Sequence, residues 1–295
     1  MLDRSGVAQL MVIGGIASTQ FGAAFADKLF DRAGPAGVVL LRLAFAALIV
    51  LIVARPRVRG RTRADWRVLI GFGLVLGGMN WSFYEALDRL PLGVAVTIEF
   101  AGPLVVTIAG SRRALDLIWA VFAATGVALL ALDHSHGRSS LGGVGFAAVA
   151  GVCWAAYILL AQRAGAVLPG VQALAVALAV GTLLVIPAGW HEGGSRLLQP
   201  AVLGAGLAVA LLSSVVPYSL EIIALRRLPA AAFGLLMSVE PAVAALAGVL
   251  VLDERLSARV IVALLLVVAA SAGTTTYGRR TAVDAEVAPS LVHPD

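Results

Sequence analysis

Ten stretches of about twenty mostly apolar residues run through this 295-residue chain, and they constrain its fold more than any other feature. Bounded by charged or Gly/Pro punctuation, they are 7–26, 34–54, 66–87, 91–111, 114–132, 141–162, 169–189, 201–225, 229–252 and 257–277. A backbone placed in hydrocarbon must satisfy its own N–H and C=O groups, so each stretch is expected to be a membrane-crossing α-helix. Composition agrees. The chain is 60% hydrophobic and 13% charged, whereas a soluble domain has about a quarter of its residues charged. An all-α integral membrane protein with ten transmembrane helices is expected, and the single cysteine excludes an internal disulfide.

An even number of spans places both termini on one side, and the excess of basic residues chooses the side. With the N-terminus inside, the cytoplasmic segments hold 14 of the 22 Lys and Arg and the opposite loops hold seven, the last being Arg42 within a span. Both termini are therefore expected in the cytoplasm of a cell whose inner membrane the chain crosses. No cleavable signal peptide is read at the start, so the N-terminus is expected to be retained. The run RPRVRGRTR between the second and third spans would suggest nucleic acid in a soluble protein. At a membrane face it reads as a topology determinant touching anionic lipid, and no nucleic-acid partner is expected.

An internal repeat divides the chain. ALDRLPLGVAVTIEFAGPLV, from Ala86, matches ALRRLPAAAFGLLMSVEPAV, from Ala224, at a constant offset of 138 that sets Pro103 on Pro241. Residues 1–138 and 139–278 then form two repeats of five spans each, and the polar stretch 279–295 reads as a disordered cytoplasmic tail. Five is odd, so the second copy must lie upside down in the membrane relative to the first. That is the inverted-repeat plan of secondary transporters, whose substrate site lies near the bilayer midplane where the repeats meet.

Ionisable groups inside spans mark functional sites by default, since a charge at a helix centre costs roughly 2.5–3.5 kcal/mol. Beyond the first turn of each span five occur: Arg42, Glu85, Glu99, Glu221 and Glu240. Glu99 and Glu240 sit centrally, whereas Glu221 and Glu85 lie close enough to span ends to reach an interface or a nearby arginine. Two readings stand for Arg42 and Glu99, which share a depth. One is an ion pair tying two helices together. The other is a site in which Arg42 takes a substrate carboxylate while Glu99 or Glu240 holds an ammonium group or a transported proton. A desolvated carboxyl group can load and release protons at cellular pH, as a proton-coupled carrier requires.

Pro103 and Pro241 each remove a backbone donor in mid-span and are expected to kink their helices at equivalent places. Gln20, Asn80, Tyr84, Trp154, Tyr157, Tyr218 and Ser238 could line a cavity beside them, though each alone could equally be an interhelical contact. Enzyme signals are missing: there is no P-loop and no H-E-x-x-H, and the spans contain no His and, apart from Asp116 at the start of one, no Asp. No cofactor is implied. DHSHG, with His134 and His136, reads as a solvated turn and not a metal site.

These residues resemble the EamA branch of the drug/metabolite transporter superfamily over nearly the whole chain. The likeness is carried by LRLA from Leu41, GGMN from Gly77, PLGVAVTIEFAGPL from Pro91, CWAAYIL from Cys153, QRAG from Gln162, PYSLEIIALRRLP from Pro217 and FGLLMSVEPAVAA from Phe233. Within that branch the chain looks like the threonine/homoserine exporters. The resemblance implies export of small neutral amino acids against a proton gradient by a monomer or homodimer, and it extends to Arg42, Glu99, Glu221 and Glu240. Glu85 departs from it, since an apolar residue is expected there. Export of bulkier drugs or other metabolites is the alternative, and a non-transporting membrane scaffold a third reading.

Overall fold

The computed structural model describes residues 4–109, 114–131, 140–169, 171–225 and 227–287. Every apolar stretch is helical within them. The helices are α1 (Arg4–Asp27), the single turn α2 (Phe30–Ala33), α3 (Pro35–Ala54), α4 (Arg63–Leu87), α5 (Leu92–Glu99), α6 (Ala101–Ala109) and α7 (Ala114–Ala131) in the first half. The second half holds α8 (Leu141–Val167), α9 (Val171–Gly193), α10 (Pro200–Ala210), α11 (Val216–Leu225), α12 (Ala230–Met237), α13 (Glu240–Leu252) and α14 (Ala258–Val287). α14 thus continues into the stretch read from sequence as a tail, and residues 288–295 lie outside the described ones.

Among the described residues six segments are long and apolar enough to cross a membrane by length and composition. Leu92–Val106, Leu117–Leu130 and Ala258–Gly273 are shorter apolar helices. α4 carries Asn80, Tyr84 and Glu85 in its last three turns, all buried. It packs along α8 and α9, so its polar groups meet protein instead of lipid. Glycines allow that approach: a methyl group on Gly77 would lie 2.7 Å from the Gly181 Cα of α9.

Local chemistry sets the helix ends. Thr62 and Asp65 form a reciprocal capping box at the start of α4, with Asp65 N donating to Thr62 Oγ1 at 3.2 Å and Thr62 N to Asp65 Oδ2 at 2.9 Å. α3 opens on Pro35, whose missing N–H costs nothing there, after Gly34 at φ +70°. The Glu192 carboxylate of α9 accepts a 2.8 Å hydrogen bond from Ala36 N and so caps α3 from the other half of the chain.

The two halves exchange their packing. α5 and α6 lie on α8, the first helix of the second half, while α12 and α13 lie on α1, the first helix of the first half. Like packs with like elsewhere: α3 on α9, α5 on α13, α7 on α14. The stretch 91–111 is interrupted, with α5 ending at Glu99 and α6 beginning at Ala101. α12 ends at Met237, the same position at the offset of 138, and α13 begins at Glu240. Each break sits one turn before a proline, whose absent N–H leaves the carbonyl four residues back without its helical partner. The stretch 201–225 has a different irregularity, a π turn over Leu211–Val215 that winds one extra residue between α10 and α11.

Candidate functional site

The breaks and the π turn surround a cavity of about 390 Å³ to which both halves contribute. Gln20, Arg42, Asn80, Glu99, Pro103, Trp154, Tyr157, Tyr218, Glu221 and Glu240 all line it, so the residues singled out by sequence largely converge. Tyr84, Ser238 and Pro241 do not. Tyr84 is fully buried behind Arg42, and Ser238 is fully buried, donating to the Gly234 carbonyl and sharing a 2.9 Å hydrogen bond with Ser271, which does reach the cavity.

Arg42 is held on three sides. Its Nε donates to Ser214 Oγ at 3.1 Å, Nη1 to the Tyr84 hydroxyl at 3.1 Å and Nη2 to the Ser213 carbonyl at 2.9 Å, with the Tyr84 ring 5.4 Å beneath the guanidinium. The π turn supplies two of these acceptors, which accounts for its place in the helix. Arg42 makes no ion pair among the described residues, so it is not the salt-bridge partner of Glu99. Three of its five N–H groups are used, and the guanidinium is fixed as a cation at the wall with donors to spare.

The carboxyl groups are placed differently. Glu240 Oε1 accepts from Gln20 Nε2 at 2.9 Å, joining α13 to α1. Glu99 makes no hydrogen bond or ion pair among the described residues, although Arg42 and Glu240 both act on it electrostatically. Glu221 is half-buried at the wall formed by α11. Among the described lining residues, three carboxyl groups thus face one cation, which suits a cavity that receives positive charge.

Aromatic and polar neighbours shape the rest. Trp154 meets Phe100 edge-on with ring centres 5.6 Å apart, Tyr157 leans on Phe72 at 5.0 Å, and Asn80 donates to the Leu76 carbonyl one turn back. Sequence reasoning missed Thr19, Phe83, Phe100, Ser213, Phe233 and Ser271. Ser213 and Ser214 could have been found as the paired hydroxyls in LLSSV, otherwise wholly apolar; the phenylalanines carry no signal that separates lining from core. Glu85 lies away from the cavity, bound 2.6 Å from Arg89 and accepting from Trp81 Nε1 at 3.1 Å. No group of three or more metal-ligating side chains occurs among the described residues; His134 and His136 lie outside them.

The EamA-like transporter family model matches this chain twice, over residues 6–132 and 141–276. The chain belongs to the EamA-like transporter family. It is 44% identical over 273 residues to the threonine/homoserine exporter RhtA of Salmonella typhimurium (strain LT2), covering 92% of each chain. It is 43% identical over 267 residues to RhtA of Escherichia coli (strain K12), covering 90% of each. A solved crystal structure overlays it with a TM-score of 0.60 at 19% identity, across 92% of this chain and 98% of the other, a likeness of fold alone. As an EamA-like protein it is a multi-pass membrane transporter and not an enzyme.

Proposed function

We propose that this chain is a secondary active transporter that exports small neutral amino acids, threonine and homoserine foremost, across the inner membrane in exchange for protons. Ten spans in two inverted five-helix repeats, with both termini in the cytoplasm, would let the halves exchange conformations and present one cavity to either side in turn. Each chain holds a whole cavity, so transport needs one copy, whether alone or in a homodimer.

The observation that carries this reading is the fixed guanidinium of Arg42 in one cavity with Glu99, Glu221 and Glu240. A zwitterion offers a carboxylate to the first and an ammonium to the second set, so an amino acid brings the partners that the cavity lacks. The RhtA relatives are named for export of threonine and homoserine, which supports that choice of zwitterion. Labelled threonine and homoserine are expected to enter inside-out vesicles containing the protein, faster with an imposed proton gradient. Absence of uptake for both sinks the proposal.

The aromatic lining, with Phe83, Phe100, Trp154 and Phe233, favours a second reading in which bulkier drugs or metabolites are exported. Competition against labelled threonine separates the two. A site built on Arg42 and carboxyl groups demands a zwitterion, so apolar compounds without an amino-acid group should not compete.

A further inference from the structure

Two buried oxygens near the second helix break have no hydrogen-bond partner among the described residues: Gln20 Oε1 and Glu240 Oε2. Gln20 is 2% exposed and Glu240 7%, so water cannot readily satisfy either. Both oxygens are acceptors, and both sit on side chains already joined by the 2.9 Å bond from Gln20 Nε2 to Glu240 Oε1. A carboxylate beside a primary amide can form only that one bond. A carboxylic acid can form two, because its O–H donates to the amide oxygen while its carbonyl accepts from the amide nitrogen.

We infer that Glu240 carries a proton in this conformation and that Gln20 holds it, the O–H at Oε2 donating to Gln20 Oε1 in a cyclic acid–amide pair. One proton then satisfies both orphaned oxygens, whereas no rotation of a carboxylate satisfies either. The inference rests on the proton-exchange reading above and assigns the exchanged proton to one acid. Glu99 has no such neighbour to hold a proton and is left to meet the substrate's ammonium group.

The charged and titratable groups around Glu240 are Glu99 on α5, Glu221 and Tyr218 on α11 and Arg42 on α3. α1 and α14 present only uncharged groups, Thr19, Gln20, Ala23 and Ser271, to the same cavity. When the acid–amide pair parts and water reaches Oε2, the proton passes to that water, the electron pair stays on the carboxylate, and Gln20 Oε1 loses its donor. Release of one proton therefore breaks half of the α1–α13 link. That link joins the first helix of one repeat to the kinked helix of the other, so proton occupancy bears directly on how the halves are held together.

Infrared difference spectroscopy of the full-length protein in lipid, stepped across pH, tests this without any transported substrate. A carboxylic-acid C=O band that titrates is expected in the unsubstituted protein. It should vanish in Glu240→Gln, which keeps the shape of the side chain, move in frequency in Gln20→Leu, and persist in Glu99→Gln and Glu221→Gln. Three results overturn the assignment: no titrating band in the unsubstituted protein, a band that survives Glu240→Gln, or one unmoved by Gln20→Leu. Failure of threonine uptake would strike the substrate reading and leave this assignment standing.

Discussion

The two helix breaks share a backbone plan and differ in chemistry. At the offset of 138, Gly102 of the first half corresponds to Glu240 of the second. Gly102 packs backbone to backbone on α8, where even a methyl group would overlap the Gly151 carbonyl oxygen. Glu240 projects a side chain that Gln20 of α1 grips. The first break has its carboxylate at its last helical residue, Glu99, unpartnered among the described residues; the second has it one turn later, partnered. Repetition therefore supplies two breaks at equivalent places, and divergence makes one a tight backbone pivot point in the packing and the other an acid-bearing joint.

The largest effect should come from breaking the pivot. Gly102→Ala places a Cβ inside the Gly151 backbone, which cannot yield as a flexible side chain could, and about 3 kcal/mol of stability should be lost. Gly145→Ala on α8, where nothing lies within 4 Å, should cost nothing and gain about 0.5–1 kcal/mol from the lower backbone entropy of alanine in a helix. Thermal unfolding in detergent compares the two; equal midpoints would mean that the α6–α8 crossing is not tight. At the equivalent position Glu240→Ala opens space instead of filling it, and should cost less than Gly102→Ala.

Next in size is Arg42→Lys. An ammonium cannot make three divergent hydrogen bonds to Ser213, Ser214 and Tyr84 and still present donors to a carboxylate. Threonine affinity, measured by isothermal titration, should fall about tenfold, or about 1.4 kcal/mol. Unchanged affinity would place Arg42 among purely structural groups. Glu99→Gln tests the other end of the site. Gln keeps a neutral acceptor and loses only the charge, so a charge-assisted hydrogen bond becomes an ordinary one, and a loss of about 1 kcal/mol should weaken threonine binding without loss of folded protein. Retention of full transport would return Glu99 to packing.

Much of this was legible in the sequence. Apolar length gave the helices, because lipid leaves the backbone no other solution. The prolines marked both breaks, and burial of charge picked out Arg42, Glu99, Glu221 and Glu240, all of which reach the cavity. The family resemblance, too, is borne out by two matches of the family model. What sequence could not supply was partnership. Shared depth left an Arg42–Glu99 ion pair as one of two readings, and it could not show that Ser213 and Ser214 of the π turn take the guanidinium instead. Periodicity of 3.6 residues does not foresee such a turn. Likewise nothing local links Gln20 to Glu240, 220 residues apart. Tyr84 and Ser238 were read as lining because they are polar and near the kinks, and each instead spends its hydroxyl on a neighbour that lines the cavity or lies beside it.

The smallest effect is expected at Glu85, and it separates buried acids that serve the cavity from one that does not. Glu85 is as buried as Glu99, each at 8% exposure, so burial cannot tell them apart. Partners can. Glu85 is neutralised 2.6 Å away by Arg89, just past the end of α4, and accepts from Trp81 Nε1, whereas Glu99 has neither kind of partner among the described residues. Glu85→Gln keeps the acceptor for Trp81 and loses only a partly exposed i, i+4 pair, which is worth at most about 1 kcal/mol. Threonine uptake should match the unsubstituted protein and the unfolding midpoint should drop slightly. A fall in uptake as large as that of Glu99→Gln would show that the cavity's electrostatics extend to the end of α4, and that charge inside a span matters here whether or not it is paired.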